Sequence, residues 1–401
     1  MSSATPGRTV AFLIDRWEPE RGGAERALAA LAKHLGERGH RVLAFARRAS
    51  PGAPGEFHAV ATGGWSRKSR ERALARALTA AAREAGADVT IGMRHLEEVD
   101  VFWPHAGAHA RGLEAREAAR RRPGSAAAAG EAGSDEDASE PAGRHALFCE
   151  LERQLCEGGG AGRIVCVSKL VADELRELYP SSAPRLELVP NGIDLEHFSL
   201  AARAERGAAL RAELGLQSST PLIAFLAHDA ELKGLPTLLD ALVLQARPDV
   251  QLLIAGPRPL ERWKRRAERA LGASRVHAFE SIDAAAALSA ADLLAHPTWR
   301  DTSGLVLLEA QAVGTPVVTT RRAGDASVVR EGVSGTVLAD PGDALALAGA
   351  ITRWLERAKQ GKVDRAAVRA AVAHRGLDTW LAAMETIVLA ASDSRRLAAR
   401  E

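Results

Sequence analysis

Apolar positions along this chain fall in short runs separated by longer stretches of helical period. Residues 9–15 form an apolar, β-rich run; a loop follows, then Gly22-Gly23, then a helix-spaced stretch from Ala24 to about Glu37. Gly39 ends that stretch, and Arg41–Ala46 reads as the next strand. Strand, helix and strand in that order make a βαβ unit, which implies a parallel sheet with a right-handed crossover. Further strands are predicted at 88–93, 100–103, 163–167 and 186–189, with helices such as 70–84 and 170–178 between them.

A second alternating series starts at Leu222. Its predicted strands are 222–227, 251–255, 276–279, 293–295 and 316–319, and its helices 235–245, 260–271, 284–291 and 305–312. Alternation of this kind is the pattern of a doubly wound α/β domain. The chain is therefore expected to hold two Rossmann-like domains, residues 1–197 and 198–377, with a hinge near 195–203. A final helix, 378–401, could pack on either.

One stretch breaks the pattern. Residues 123–143 are Ala, Gly, Ser, Asp and Glu with almost no large apolar side chain, so a disordered insert is expected there. The helix before it carries Arg111, Arg116, Arg120, Arg121 and Arg122 against Glu114 and Glu117. That is either a solvated face or a contact for an anionic acceptor or the inner face of a membrane.

Composition changes the picture little. A chain of 401 residues, 46% of them hydrophobic, can build two sizeable cores. The formal net charge of +2 gives no case for nucleic acid as a partner. The three cysteines, Cys149, Cys156 and Cys166, match no metal-ligand spacing and are expected to be reduced and buried. The first residues lack the charged-then-apolar order of a secretory signal, and no run of about 18 apolar residues occurs. The expectation is a cytoplasmic protein.

Candidate chemistry lies at the strand-to-helix turns. Gly22 and Gly23 stand where the first strand hands over to the first helix; a tight turn needs glycine, and a phosphate at a helix N-terminus needs it too. The segment Val189-Pro190-Asn191-Gly192-Ile193-Asp194 closes the first domain and reads as an interdomain hinge. Lys233-Gly234 occupies a strand-to-helix loop of the second domain, beyond the carboxyl end of a strand, where open α/β sheets bind ligands. In the segment 299–310, Asp301 precedes a helix start and Glu309 follows about two turns on, among apolar residues. Two readings stand together: Asp301 as an N-cap with Glu309 paired to a base such as Arg321, or Glu309 as the acceptor for a ribose diol.

Taken in order, Gly22-Gly23-Ala-Glu-Arg, Val189-Pro-Asn-Gly-Ile-Asp194, Lys233-Gly234, and Asp301-x7-Glu309 followed by Gly314-Thr-Pro-Val-Val resemble the retaining family 4 glycosyltransferases. Asp100-Val-Phe-Trp, Leu293-Leu-Ala-His-Pro and Gly304-Leu-Val-Leu-Leu-Glu309 look most like the lipopolysaccharide core glucosyltransferase I group. The resemblance implies a GT-B fold, with Gly22 and Gly23 approaching the diphosphate or sugar and Lys233 neutralising the diphosphate. It places Asp301 near the sugar, Glu309 on the ribose, and Ser303, Gly304, Leu305 and Val306 around the pyrophosphate. The family's first acid is usually glutamate, so Asp301 is one methylene shorter. Members also often carry an arginine just upstream of the lysine; here that stretch has His228 instead, with Lys169 or Arg94 as substitutes from elsewhere.

The reaction so implied moves a hexose, with retention, from a nucleotide-sugar (a UDP-sugar is expected) to a glycan or lipid-linked glycan acceptor. No cofactor and no metal are expected; the only Asp-x-Asp, Asp135-Glu136-Asp137, falls in the insert. From the first domain, Asp100 and His105 are the candidate polar groups. A GT-B epimerase, a phosphorylase and a catalytically silent binding protein are the competing readings.

Overall fold

The computed structural model describes residues 7–122 and 142–398. The described residues divide into two compact units: unit 1 holds 7–112, 142–191 and 378–398, and unit 2 holds 113–122 and 192–377.

Unit 1 is built on a seven-stranded sheet of β1 (Thr9–Leu13), β2 (Arg41–Ala46), β3 (Glu56–Ala59), β4 (Val89–Gly92), β5 (Val99–Phe102), β6 (Ala161–Cys166) and β7 (Leu186–Leu188). All pairings are parallel, in the order β3-β2-β1-β4-β5-β6-β7. Helices α1 (Gly23–Glu37), α2 (Arg67–Glu84), α3 (His109–Arg121), α4 (Ala142–Cys156) and α5 (Lys169–Leu178) accompany it, with α3 passing into unit 2 at Leu113. Phe12, Leu31, Leu43, Ile91 and Trp103 are fully buried, each such apolar side chain contributing about 1.5–3 kcal/mol.

Unit 2 repeats the plan with β8 (Leu222–Leu226), β9 (Gln251–Ala255), β10 (Val276–Phe279), β11 (Leu293–His296), β12 (Val317–Thr320) and β13 (Gly335–Leu338). The order is β10-β9-β8-β11-β12-β13, again all parallel. Its helices include α6 (Leu235–Gln245), α7 (Leu260–Leu271), α8 (Ala284–Ala290), α9 (Leu305–Ala312) and α10 (Ala344–Lys359). Both faces of the sheet are covered: Ile223 and Phe225 point into one core and Ala224 into another. A strand buried on both faces reads as a continuous apolar run, which is why Leu-Ile-Ala-Phe-Leu shows no alternation.

Several expectations shift. The helix α11 (Leu377–Ala398) belongs to unit 1 from Asp378 on, where the Trp380 ring packs 5.7 Å from Trp103 and Arg395 bonds Asp100 at 2.9 Å. The chain enters unit 2 at Gly192, inside the segment 189–194 read as an interdomain hinge and a few residues before 195–203. Ile193 N–H already donates to Arg375 O at 2.9 Å, and Phe198 is buried in a unit 2 core. Of the expected insert, residues 123–141 lie outside the described residues, whereas Ala142 and Gly143 open α4. The arginines of α3 find acids: Arg111 meets Glu177, Arg116 meets Asp229, and Arg122, just past the helix, meets Asp240. Cys156 and Cys166 are buried, the thiol of Cys166 being pushed up to about 12 by burial, while Cys149 is half-buried. Among the described residues no helix is long and apolar enough to cross a membrane.

Candidate active site

In unit 2 the strand order reverses between β8 and β11, so the loops after these neighbours diverge and open a crevice at their carboxyl ends. The loop after β8 carries His228 and Lys233; the loop after β11 carries residues 297–304. Threonines fix the second loop: Thr298 Oγ1 donates to Leu232 O at 3.2 Å, Thr320 Oγ1 to Thr298 O at 2.6 Å, and Thr319 Oγ1 to His296 O at 2.9 Å. Gly234 caps the first loop at φ +82°, and a Cβ there would lie 2.1 Å from Pro297 O, so only glycine lets the two loops meet.

The meeting point is Asp301. Lys233 Nζ lies 2.9 Å from Asp301 Oδ2 and donates to Arg300 O at 3.0 Å. His296 Nε2 is also 2.9 Å from Asp301 Oδ2. Burial opposes the charge on Asp301, but Lys233 and His296 outweigh it and hold the carboxyl well below the usual range. His296 is itself fully buried, and burial lowers its pKa, so it is neutral and donates Nε2–H to the carboxylate. Its Nδ1 has no hydrogen-bond partner.

Asp301 is not the N-cap. The helix α9 starts at Leu305 behind Gly304, whose φ of +95° favours glycine and whose missing side chain leaves the helix start uncapped. Its first N–H groups, at Gly304, Leu305 and Val306, therefore carry the free donors and partial positive charge of a helix N-terminus. Glu309, 9% exposed, lies one turn into the same helix. Ser303 Oγ donates to Asp325 Oδ2 at 2.8 Å. His228 Nδ1 stands 3.0 Å from Gly256 O, beside the end of β9.

In unit 1 the same reversal lies between β1 and β4. Gly22 and Gly23 open α1 after β1, with Gly22 fully extended at φ −177°. Arg94, in the loop after β4, sits 3.3 Å from Asp15 and 2.5 Å from Glu71; Lys169 is exposed and pairs with Asp173 at 2.5 Å. His105 follows the carboxyl end of β5, its Nε2 3.2 Å from Asn191 Nδ2 and its ring 5.6 Å from Trp103. Asp100 lies near the amino end of β5, away from that edge. Its Oδ2 accepts from Thr90 N at 2.8 Å, Thr90 Oγ1 at 2.7 Å and Arg395 at 2.9 Å, which ties β4, β5 and α11 together.

The structure thus gathers Lys233, Asp301, Ser303, Gly304, Leu305, Val306 and Glu309 along two loops and one helix of unit 2. Sequence reasoning missed His296 as the partner of Asp301, although His296-Pro297 was visible, and missed Asp325. Arg300, 7% exposed and next to Asp301, was also passed over.

Residues 21–197 match the family described as Glycosyltransferase Family 4, and residues 220–357 match Glycosyl transferases group 1. The D-inositol 3-phosphate glycosyltransferase of Segniliparus rotundus is 33% identical over 260 residues, 59% of this chain and 54% of that protein. The chain spans about half the length of the curated relatives it matches. Among solved structures, WaaG, a glycosyltransferase involved in lipopolysaccharide biosynthesis, superposes with a TM-score of 0.78 at 21% identity, covering 94% of this chain and 99% of that one. The Anabaena protein Alr3699/HepE, solved with UDP and glucose, gives 0.69 at 18% identity, covering 94% and 98%. Residues 21–197 and 220–357 thus carry a Glycosyltransferase Family 4 and a Glycosyl transferases group 1 domain on two parallel, doubly wound sheets, the GT-B fold, and the chain resembles the lipopolysaccharide core glucosyltransferase.

Proposed function

We propose that the protein transfers a hexose from a nucleotide-sugar, retaining the anomeric configuration, to a glycan or lipid-linked glycan acceptor. The observation that carries this is the Lys233–Asp301–His296 constellation at the switch point of unit 2, beside the open N-terminus of α9. Lys233 has three N–H donors, and Asp301 and Arg300 engage two. The third, with the N–H groups of Gly304, Leu305 and Val306, would meet a diphosphate as charge builds on it. Preorganised donors of that kind are worth about 10²–10³ in rate each.

The other roles follow from position. Glu309 would accept from the ribose hydroxyls, and Asp301, held on the sugar side by His296, would bond a hexose hydroxyl. His228 would reach the diphosphate in place of the family's usual arginine. Within unit 1, Gly22, Gly23 and His105 would serve as ligand-contacting groups, while α3, which runs from unit 1 into unit 2, would make peripheral contact with a cytoplasmic membrane face. Positive charge from side chains and backbone would do the work of a metal, so the reaction is expected to proceed in excess chelator. Resemblance to WaaG and to the HepE structure with UDP supports a UDP-sugar donor and an acceptor in cell-envelope glycan synthesis.

A panel of UDP-, GDP- and ADP-sugars, each assayed for binding and slow hydrolysis, tests the reading. Binding and hydrolysis of one donor support it. Binding without turnover points to a silent binding protein, and no binding at all contradicts it.

A further inference from the structure

Asp325 is a buried acid, 2% exposed, in the short turn after β12, and the donor reading of unit 2 gives it no part. Its surroundings do. Residues 322–325 are laced to 301–303 by backbone bonds: Asp301 N–H to Arg322 O at 3.0 Å, Gly324 N–H to Asp301 O at 2.8 Å, and Asp325 N–H to Ser303 O at 2.6 Å. The Asp325 side chain closes the lace, accepting from Ser303 Oγ at 2.8 Å and facing Arg375 Nη2 across 2.9 Å. Arg375 is itself buried, and its carbonyl accepts from Ile193 at 2.9 Å, where residues 193 and 376 pair as a short parallel bridge.

We propose that Asp325 is a positioning residue for donor binding: anchored on Arg375, it holds Ser303 and so sets the turn that presents Asp301 and the Gly304 N–H. The inference rests on unit 2 being the donor site. A buried ionised carboxylate is costly and, for packing alone, replaceable. Here it is kept where a hydroxyl of the ligand-facing turn must be held in one orientation. The groups that bear on its charge are Arg375, which favours ionisation, Asp301, which opposes it, and the Ser303 hydroxyl. Burial dominates and pushes the carboxyl up to about 6. At neutral pH the clamp is charged and closed; below about 6 Asp325 takes up a proton, gives up its attraction for Arg375, and loosens its hold on Ser303.

The test is donor affinity by calorimetry, using UDP-, GDP- and ADP-glucose, whose diester diphosphates keep their charge over the range needed. Wild type, Ser303→Ala, Asp325→Asn and the double variant are compared at about pH 7.5 and about pH 5.5, on either side of the titration. Each single variant is expected to weaken binding roughly tenfold at the higher pH, and the double variant no further, because both break one link. Wild type should lose roughly threefold between the two pH values, because about a quarter of Asp325 is still ionised at the lower one, and both single variants should lose that step. Effects that multiply in the double variant, or a step kept in Asp325→Asn, would overturn the proposal. Should Asp325→Asn fail to fold, Ser303→Ala carries the same test through its pH step alone. A wild type that binds none of the three donors overturns the donor reading and this inference with it; a wild type that binds, with both single variants unchanged, overturns this inference alone.

Discussion

The carboxylate of Asp301, on a side chain one methylene shorter than glutamate, meets two donors on its Oδ2. His296 ends β11 only five residues earlier, and Lys233 arrives from the neighbouring loop. Replacing Lys233 with methionine keeps the stem and removes the charge. Transfer should fall about 10²–10³-fold in kcat, measured under donor saturation, with the fold intact. A change confined to KM would give Lys233 a purely ground-state role. The Asp325 carboxyl behaves in the opposite sense to Asp301. Its folded value of about 6 lies above its ordinary one, so its contribution to stability is fully present below the unfolded value near 3.8 and is lost as pH rises through about 6. Asp325→Asn should therefore flatten that part of the stability–pH curve, read by denaturant unfolding across the window. Lys233 and Asp301 could be singled out because they fall in the loops that follow parallel strands, and Glu309 because it is an acid among apolar residues of one helix. His296 and Asp325 were not: a histidine closing an apolar strand and an aspartate in a turn look like ordinary core and capping residues until β11 and β12 are paired.

At the level of elements, the interior strands were readable because burial on both faces leaves apolar runs with clear ends. Val276–Phe279 and the helices Leu235–Gln245, Leu260–Leu271 and Leu305–Ala312 were read with the bounds observed. The edges were not. Glu56–Ala59 is an edge strand exposed along most of its length, with Phe57 its only large apolar residue, so it leaves no pattern. Gly335–Leu338 begins on a glycine whose Cβ would strike Val317 O at 2.2 Å, a close approach that looks like a loop in one dimension. Glycine also makes the sharpest element-scale prediction. Gly234→Ala meets both a positive φ and a wall of backbone, whereas Gly272, at φ +93°, has open space around it. Gly272→Ala should cost about 1–3 kcal/mol for its backbone conformation alone, and Gly234→Ala clearly more or prevent folding, compared by chemical denaturation. Equal costs would show that strain in φ, not the contact with Pro297, requires the glycine.

For the molecule as a whole, the chain's return to unit 1 was undecidable from the pattern, since an amphipathic helix announces a buried face but not its partner. The partner is set by particular side chains: Trp380 against Trp103, Glu385 with His34 at 2.9 Å, Asp393 with Arg8 at 2.6 Å, and Arg396 with Asp88 at 2.7 Å. Truncation after Leu377 should expose Trp103 and open unit 1 while leaving unit 2 folded. Hydrogen exchange would read this as lost protection in β1, β4 and β5 with β8 and β11 unchanged. Loss of protection in both sheets would make the chain a single cooperative body.

Nucleotide recognition by α9 is tested most directly by titrating wild type and Glu309→Gln with the preferred donor and its free nucleotide. Wild type should bind one nucleotide, and the variant should bind it at least about tenfold more weakly, since a charged acceptor for the ribose diol becomes a neutral one. Equal affinity of the two proteins for the free nucleotide would contradict it.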